Sequence, residues 1–570
     1  MIMYTFNITG KGSKEHSYDA IVVGAGMSGG IAAKELTEKG LKVLVLERGR
    51  EVKHVTDYPT EGLDPWETPL RNQTTQEDRE LAPIQSTLYL YGQNMKHFLV
   101  KDVDHPYAQE KPFMWYRGYQ TGGRSLLWSK HTFRYSDFDF EANATDGVGI
   151  DWPIRYKDIA PWYDHIEKYI GVSGRRDGIP QLPDGQFLPP WEMNAFEKYL
   201  TEKIVSKYPE RQMITSRMAI LTQPHNGRGK CQNRNLCHRG CMFGAYFSSN
   251  AVSLPDAAKT GNLTLRPFSI VERVLYDAET NRVKGVNVID QNTGEQYEFY
   301  ADIVFLNAST LGTTQILLQS KTKEFPDGLA NSSGVLGHYL MDHHAGVGAS
   351  GSYDGLMDTF YYGQKPASVY IPRFRNLKRN DQDYLRGFTF ENYTSRQSWT
   401  RGFYLAGLGA EWKESLTHPG VWTAYFEAYG ETLPDAKNKV SLHPSKVDKW
   451  GLPLLNIDME YGENARKMRK DMQQTAVEML EAANLDNVRG FDYSPPPGSV
   501  IHEMGTARMG KDPKTSVLNK WNQSHDIPNL FITDGSCMTS SPPQNPSLTY
   551  MALTARACDF AVKELKRGNI

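Results

Sequence analysis

The chain has 570 residues, of which 39% are hydrophobic and 23% charged, with a formal net charge of −2. That length exceeds one minimal core and asks for two or more lobes. The small net charge gives no electrostatic reason to expect nucleic acid or an anionic membrane as partner, and no stretch approaches the roughly 20 apolar residues of a membrane span.

Met1 to His16 is polar and lacks an apolar run followed by a small-residue cleavage site, so no export leader of the chain's own is expected. Tyr18–Val23 predicts a short buried strand. It enters Gly24-Ala25-Gly26-Met27-Ser28-Gly29-Gly30. Ile31 to Lys39 then predicts a helix, and Leu41–Leu46 a second strand ending on Glu47. Strand, glycine loop, helix, strand and acid in this register form a dinucleotide fingerprint. Gly24 allows the tight turn, Gly26 the approach of a pyrophosphate, and Gly29 close helix packing, while Glu47 stands where an acid meets ribose hydroxyls.

Residues 51 to 110 show no sustained period and predict loops and a lid. Gly118 to Trp128 is glycine-rich again, with Gly122, Gly123 and Ser125 able to pass close to a flat ring. Asp151 to Asp158 introduces a helix over Ile159–Ile170, near which a lobe boundary is expected. Strands, turns and a helix follow from Leu263 to Leu318, including Ala301–Leu306 running into the small-residue turn Asn307–Gly312.

The middle, about 335 to 490, differs. Tyr384 to Phe390 predicts a strand, and Gly420–Ala428 alternates so that Trp422, Ala424, Phe426 and Ala428 share one face. Asn464 to Ala483 carries Ala465, Met468, Met472, Ala476, Met479, Leu480 and Ala483 at helical spacing, its methionines read as core filler. A mostly antiparallel sheet backed by helices is expected there.

Near the C-terminus His502 lies beside a glycine turn and Asn545 sits before Pro546. A neutral imidazole accepts a hydroxyl proton near its ordinary pKa of roughly 6.5, and an amide held extended by the following proline can hold the same oxygen. Together with a nucleotide loop, this pair suits removal of hydride from an alcohol.

In order, these pieces resemble the glucose-methanol-choline (GMC) family of flavoprotein oxidoreductases over nearly the whole chain. The matching text is Gly24–Gly30, Glu47-Arg48, Gly122 to Ser125, Trp152-Pro153, Asn307–Leu318, Lys439–Pro444, Trp450–Pro453, His502–Gly510, Phe531–Gly535 and Asn545-Pro546. The resemblance implies an α/β fold, with a doubly wound FAD-binding Rossmann-type lobe and an α+β substrate lobe built on a mostly antiparallel sheet. The flavin lobe is expected from 1–155, 225–334 and 491–570, and the substrate lobe from 156–224 and 335–490. Within the family the pattern is similar to the sugar-oxidising branch that uses His and Asn. That implies His502 as base and Asn545 as its partner on the hydroxyl. Cofactor contacts are implied at Arg48, at Asp534 near the ribityl and phosphate region, and at the Val271 backbone near adenine. Leu127 stands where pyranose oxidase carries its flavin-linked histidine, and His131 lies four residues further on, so noncovalent FAD is expected.

Cys231, Cys237 and Cys241 are separated by five and then three residues, without paired Cys-x-x-Cys knuckles. Soft thiolates at this density select an iron–sulfur cluster, zinc or copper(I). The spacing resembles the [3Fe–4S] motif of bacterial FAD glucose dehydrogenase. Zinc held with His238 or His225, and simple buried thiols, remain the alternatives, while Cys537 and Cys558 are read as core. The resulting expectation is a sugar dehydrogenase passing electrons from FAD through the cluster to a quinone or cytochrome. C3 of glucosides comes first as the oxidised position, with gluconate C2, fructose C5 and glucose C1 open. An oxygen-using oxidase and a non-catalytic flavin-binding subunit are the rivals. A small accessory subunit bearing an export signal is implied, with a periplasmic location by co-export or a cytoplasmic one.

Overall fold

The computed structural model describes residues 18–64, 66–359, 366–377 and 381–570, and the reading of Met1 to His16 lies outside them. Five parallel strands form the nucleotide-side sheet in the order Leu263–Arg266, Val43–Leu46, Tyr18–Val23, Gln296–Leu306 and Leu530–Ile532. Ala20 pairs with Val43 on one side and Ile303 on the other. These strands are buried on both faces, which is why they read as continuous apolar runs. The Met27–Glu38 helix covers one face and packs on the C-terminal helix Ser547–Lys566. The first half of Gln296–Leu306 joins Ser269–Asp277 and Arg282–Asp290 in an antiparallel meander.

The second sheet is antiparallel throughout, ordered Asp486–Asp492, His344–Tyr353, Trp422–Gly430, Phe388–Arg396, Val369–Ile371 and Ile214–Thr215. Trp422, Ala424, Phe426 and Ala428 share its buried face and pack with Met468, Met472, Ala476 and Met479 of the Glu463–Ala482 helix. Burying a large apolar side chain there contributes about 1.5–3 kcal/mol. The opposite face places Glu391 across from Glu427 and Tyr393 across from Tyr425.

Two elements differ from expectation. The first helix begins at Met27, not Ile31, because Gly29 and Gly30 form part of its buried face. The expected strand Tyr384–Phe390 is Phe388–Arg396. Arg386 adopts φ 70° and bonds Glu431 and Asn143, each at 2.8 Å, which ends the extended path before Phe388. Among the described residues of 51 to 110 there are one six-residue helix, Gln76–Leu81, short 3-10 turns and a two-residue strand, Ala108–Gln109. Cys537 and Cys558 are buried, and among the described residues no helix is long and apolar enough to cross a membrane.

Candidate active site

One cavity of about 870 Å³ runs from the first glycine loop to the Glu391–Glu427 face of the second sheet. At its nucleotide end the loop is packed to contact. A Cβ on Gly24 (φ 96°) would lie 2.4 Å from the Asn307 carbonyl oxygen, and one on Gly29 would lie 1.8 Å from that of Gly24. Gly26 is different: its Cβ would meet no protein atom within 4 Å, and it lines the cavity with Ser28. The Met27–Glu38 helix starts there without a side-chain cap. Unpaired N–H groups at a helix N-terminus facing open space fit the pyrophosphate of a dinucleotide.

Glu47 also lines the cavity, but its carboxylate accepts from Ala25 N at 3.0 Å and Gly49 N at 2.9 Å, so it organises the loop as well. Burial lifts it to about 7 against those two bonds. A carboxylate has four lone-pair sites, which leaves capacity for ribose hydroxyls. Arg48 lines the wall with its guanidinium over Tyr119 and Trp450, 4.8 and 5.3 Å from the ring centroids.

Gly122 (φ 91°) turns the second glycine segment toward the first, so that a Cβ on Gly123 would lie 3.3 Å from the Gly26 Cα. Ser125 locks the turn by donating to the Gly122 carbonyl and accepting from Ser249 N. Val271 and Asp534 reach the same cavity. Asp534 accepts from Ser536 and Thr313, and burial raises its carboxyl. The nucleotide-site residues expected from the sequence therefore converge, Gly29 and Gly122 acting as packing glycines behind the wall. Leu127 lines the cavity, as does His131, whose Nδ1 lies 3.5 Å from Glu391 Oε1.

His502 and Asn545 line the far part of this cavity. The His502 backbone N–H donates to Asp342 Oδ1 at 3.0 Å, and Gly498 N donates to Asp342 Oδ2 at 2.8 Å, so one buried carboxylate pins the loop that carries the imidazole. Burial, then Glu503, lifts Asp342 to about 7. Arg124 pairs with Glu503 at 2.8 Å and ties the second glycine segment to the residue after His502. Burial above all, reinforced by the neighbouring His343, Arg124 and His131, holds His502 well below its ordinary pKa, and the imidazole is therefore neutral.

Sequence reasoning missed His343, Arg124 with Glu503, Glu391 and Glu427. The alternation that marked Trp422 and Phe426 as core also left Tyr425 and Glu427 on the other face, but their facing partners are set by strand register. Glu391 and Glu427 oppose each other directly, a like-charge pairing that costs stability. Burial lifts Glu427 to about 7, with Glu391 adding to the rise against a bond from Gly346 N. Tyr393, Tyr425 and Tyr429 stand beside them in the wall.

The three cysteines of the metal expectation lie together, outside this cavity. Cys231, Cys237 and Cys241 pack around Met218, Ile220 and Tyr246 and are absent from the cavity wall. Without a metal, burial and the adjoining Cys237 and Cys241 thiols push Cys231 up to about 11, and the His225 ring is turned to the Lys168 carbonyl at 2.7 Å. Among the described residues no three His, Cys, Asp or Glu side chains are arranged to hold a metal ion.

Family models described as GMC oxidoreductase match residues 211–345 and 434–554, and an NAD(P)-binding Rossmann-like model matches 22–74. The chain is 30% identical to 2-methyl-1,2-propanediol dehydrogenase of Mycolicibacterium austroafricanum, over 95% of this chain and 94% of that one. It is 27% identical to the fructose dehydrogenase large subunit of Gluconobacter japonicus, covering 97% of this chain and 99% of the relative. A formate oxidase structure from Aspergillus oryzae superposes with a TM-score of 0.60 at 14% identity, covering 98% and 100% of the two chains, a likeness of fold. With the nucleotide loop, the two sheets and the shared cavity in place, the chain belongs to the GMC oxidoreductases, a family of FAD-binding enzymes acting on CH–OH groups.

Proposed function

We propose that this protein is an FAD-dependent sugar dehydrogenase that oxidises a secondary hydroxyl of a pyranoside, C3 of a glucoside being the position carried from the family resemblance. The observation that carries the reading is a single cavity with the nucleotide loop at one end and His502, Asn545, Glu391 and Glu427 at the other. Bound FAD supplies the hydride-accepting chemistry. The protein's own part is to hold the alcohol and take its proton. His502 is the neutral base, Asn545 bonds the same oxygen, and the Glu391 and Glu427 carboxylates accept from the remaining hydroxyls. The tyrosine rings offer apolar faces to the C–H side of a sugar. A substrate lacking those hydroxyls forgoes these bonds, about 0.5–1.5 kcal/mol for an ordinary one and 1.5–3 where the carboxylate is charged.

The relatives named for a diol and for fructose support a polyhydroxylated substrate. The relative named as a large subunit supports an accessory subunit, with which a periplasmic location by co-export stands beside a cytoplasmic one. The deciding experiment mixes the holoenzyme anaerobically with methyl β-glucoside, glucose, fructose, gluconate and 2-methyl-1,2-propanediol and follows flavin bleaching. Methyl glucoside is expected to bleach fastest. Bleaching by the diol alone overturns the sugar reading, and no bleaching by any of them returns the chain to a non-catalytic flavin-binding role. Faster reoxidation by quinone than by oxygen is expected of a dehydrogenase. The spacing-based [3Fe–4S] reading is decided by iron analysis of the same preparation: about three irons per flavin supports it and none removes it.

The flavin is proposed to be noncovalent, since the position expected to face it is Leu127. Acid precipitation should release yellow flavin into the supernatant, and colour kept in the pellet would point to a covalent attachment elsewhere in the wall.

A further inference from the structure

His343 lies one residue beyond the carboxylate that pins the His502 loop, and its ring is fully buried between two partners. Its Nε2 is 2.8 Å from the Pro542 carbonyl oxygen, and its Nδ1 is 2.9 Å from Nδ1 of His502. The two rings meet edge to face, 5.0 Å between centroids. A carbonyl oxygen only accepts, so His343 must carry its proton on Nε2. In a neutral ring the other nitrogen is then bare and accepts. Among the described residues the donor at that distance is Nδ1–H of His502, so the proton of His502 sits on Nδ1 and Nε2 is left with the lone pair. Burial, which pushes His343 down to about 4 despite its bond to Pro542, keeps the ring neutral as this chain of bonds requires.

We propose that His343 is a positioning residue that sets the tautomer of His502, so that Nε2 is the basic nitrogen presented to the substrate hydroxyl. The inference rests on the reading of His502 as the base. It adds what makes that imidazole competent: without an acceptor at Nδ1 the proton is free to move to Nε2, where the ring has no lone pair to offer. Asp342 and His343, adjacent in the chain, thus divide the work, one holding the backbone of His502 and the other the protonation of its ring.

The test uses holoenzyme labelled with ¹⁵N-histidine, the His502 signals being assigned by their loss in His502→Gln. Nδ1 is expected to be protonated and Nε2 bare in the native enzyme, without substrate. His343→Phe should abolish that preference, whereas His343→Asn, whose amide oxygen can occupy the acceptor position, should keep it. Flavin reduction by whichever sugar or diol bleaches the native flavin fastest should fall about 10²-fold in His343→Phe and recover most of the loss in His343→Asn, with FAD content unchanged. A proton on Nε2 of His502 in the native enzyme overturns the proposal even if neither variant folds. Equal rates in native and His343→Phe enzymes do the same. If no compound bleaches the flavin, the proposed function fails, while the nitrogen shifts still decide the tautomer.

Discussion

Replacing His502 with alanine is expected to lower alcohol-driven flavin reduction by about 10²–10⁴, the range supplied by a positioned general base, while the protein keeps its FAD. The retained flavin follows from the architecture. The nucleotide end of the cavity is built by the Gly24–Gly30 loop, Glu47 and Asp534, whereas His502 contacts Asp342 and His343. Asn545→Ala removes a hydrogen-bond partner and no proton acceptor, so its loss should be smaller, near the 0.5–1.5 kcal/mol of an ordinary bond, or about 2- to 13-fold. The measurement is the limiting rate of anaerobic flavin bleaching at saturating substrate. Parental bleaching by His502→Ala would place the base on another residue, His131 being the remaining imidazole in the wall.

The second large effect separates two glycines three residues apart. Gly26→Val should give folded protein that does not retain flavin, because its Cβ meets no protein atom within 4 Å and the side chain enters open cavity where the pyrophosphate is expected. Gly29→Ala adds a smaller group yet should damage folding. Its Cβ would lie 1.8 Å from the Gly24 carbonyl oxygen, and a backbone carbonyl in a tight turn has little room to yield. Overpacking of this kind costs about 1–3 kcal/mol, occasionally more. Circular dichroism, thermal melting and flavin absorbance of the purified variants distinguish the outcomes. A Gly26→Val protein that is yellow would remove the pyrophosphate assignment, and a Gly29→Ala protein melting with the native one would show that the helix can shift away from the loop.

The nucleotide loop was legible in the sequence because most of its determinants are local: a strand, a turn and a helix start within residues 18 to 38, and Gly29 answers to Gly24 inside that unit, although Gly24 itself is pressed by Asn307. The core face of Trp422–Gly430 was equally plain, since alternation records which side of a strand avoids water. His502 and Asn545 were identifiable as residue types suited to alcohol chemistry. Periodicity, however, records which face a residue takes and never what it meets. The contact of His343 with His502 spans 159 positions and that of Arg124 with Glu503 spans 379. The juxtaposition of Glu391 with Glu427 depends on the register of two strands, which a one-residue slip would turn to the other face. The cysteine loop shows the same limit from the other side. Its spacing is a local property that admits a cluster, but what surrounds the thiols, Met218, Ile220 and Tyr246, is set by packing, and among the described residues no three ligands are arranged for a metal ion. Chemistry-bearing residue types were thus written in the chain, while the tautomer, the polar wall and the arrangement of the thiols were decided by long-range packing, because those depend on distances between segments that no local pattern encodes.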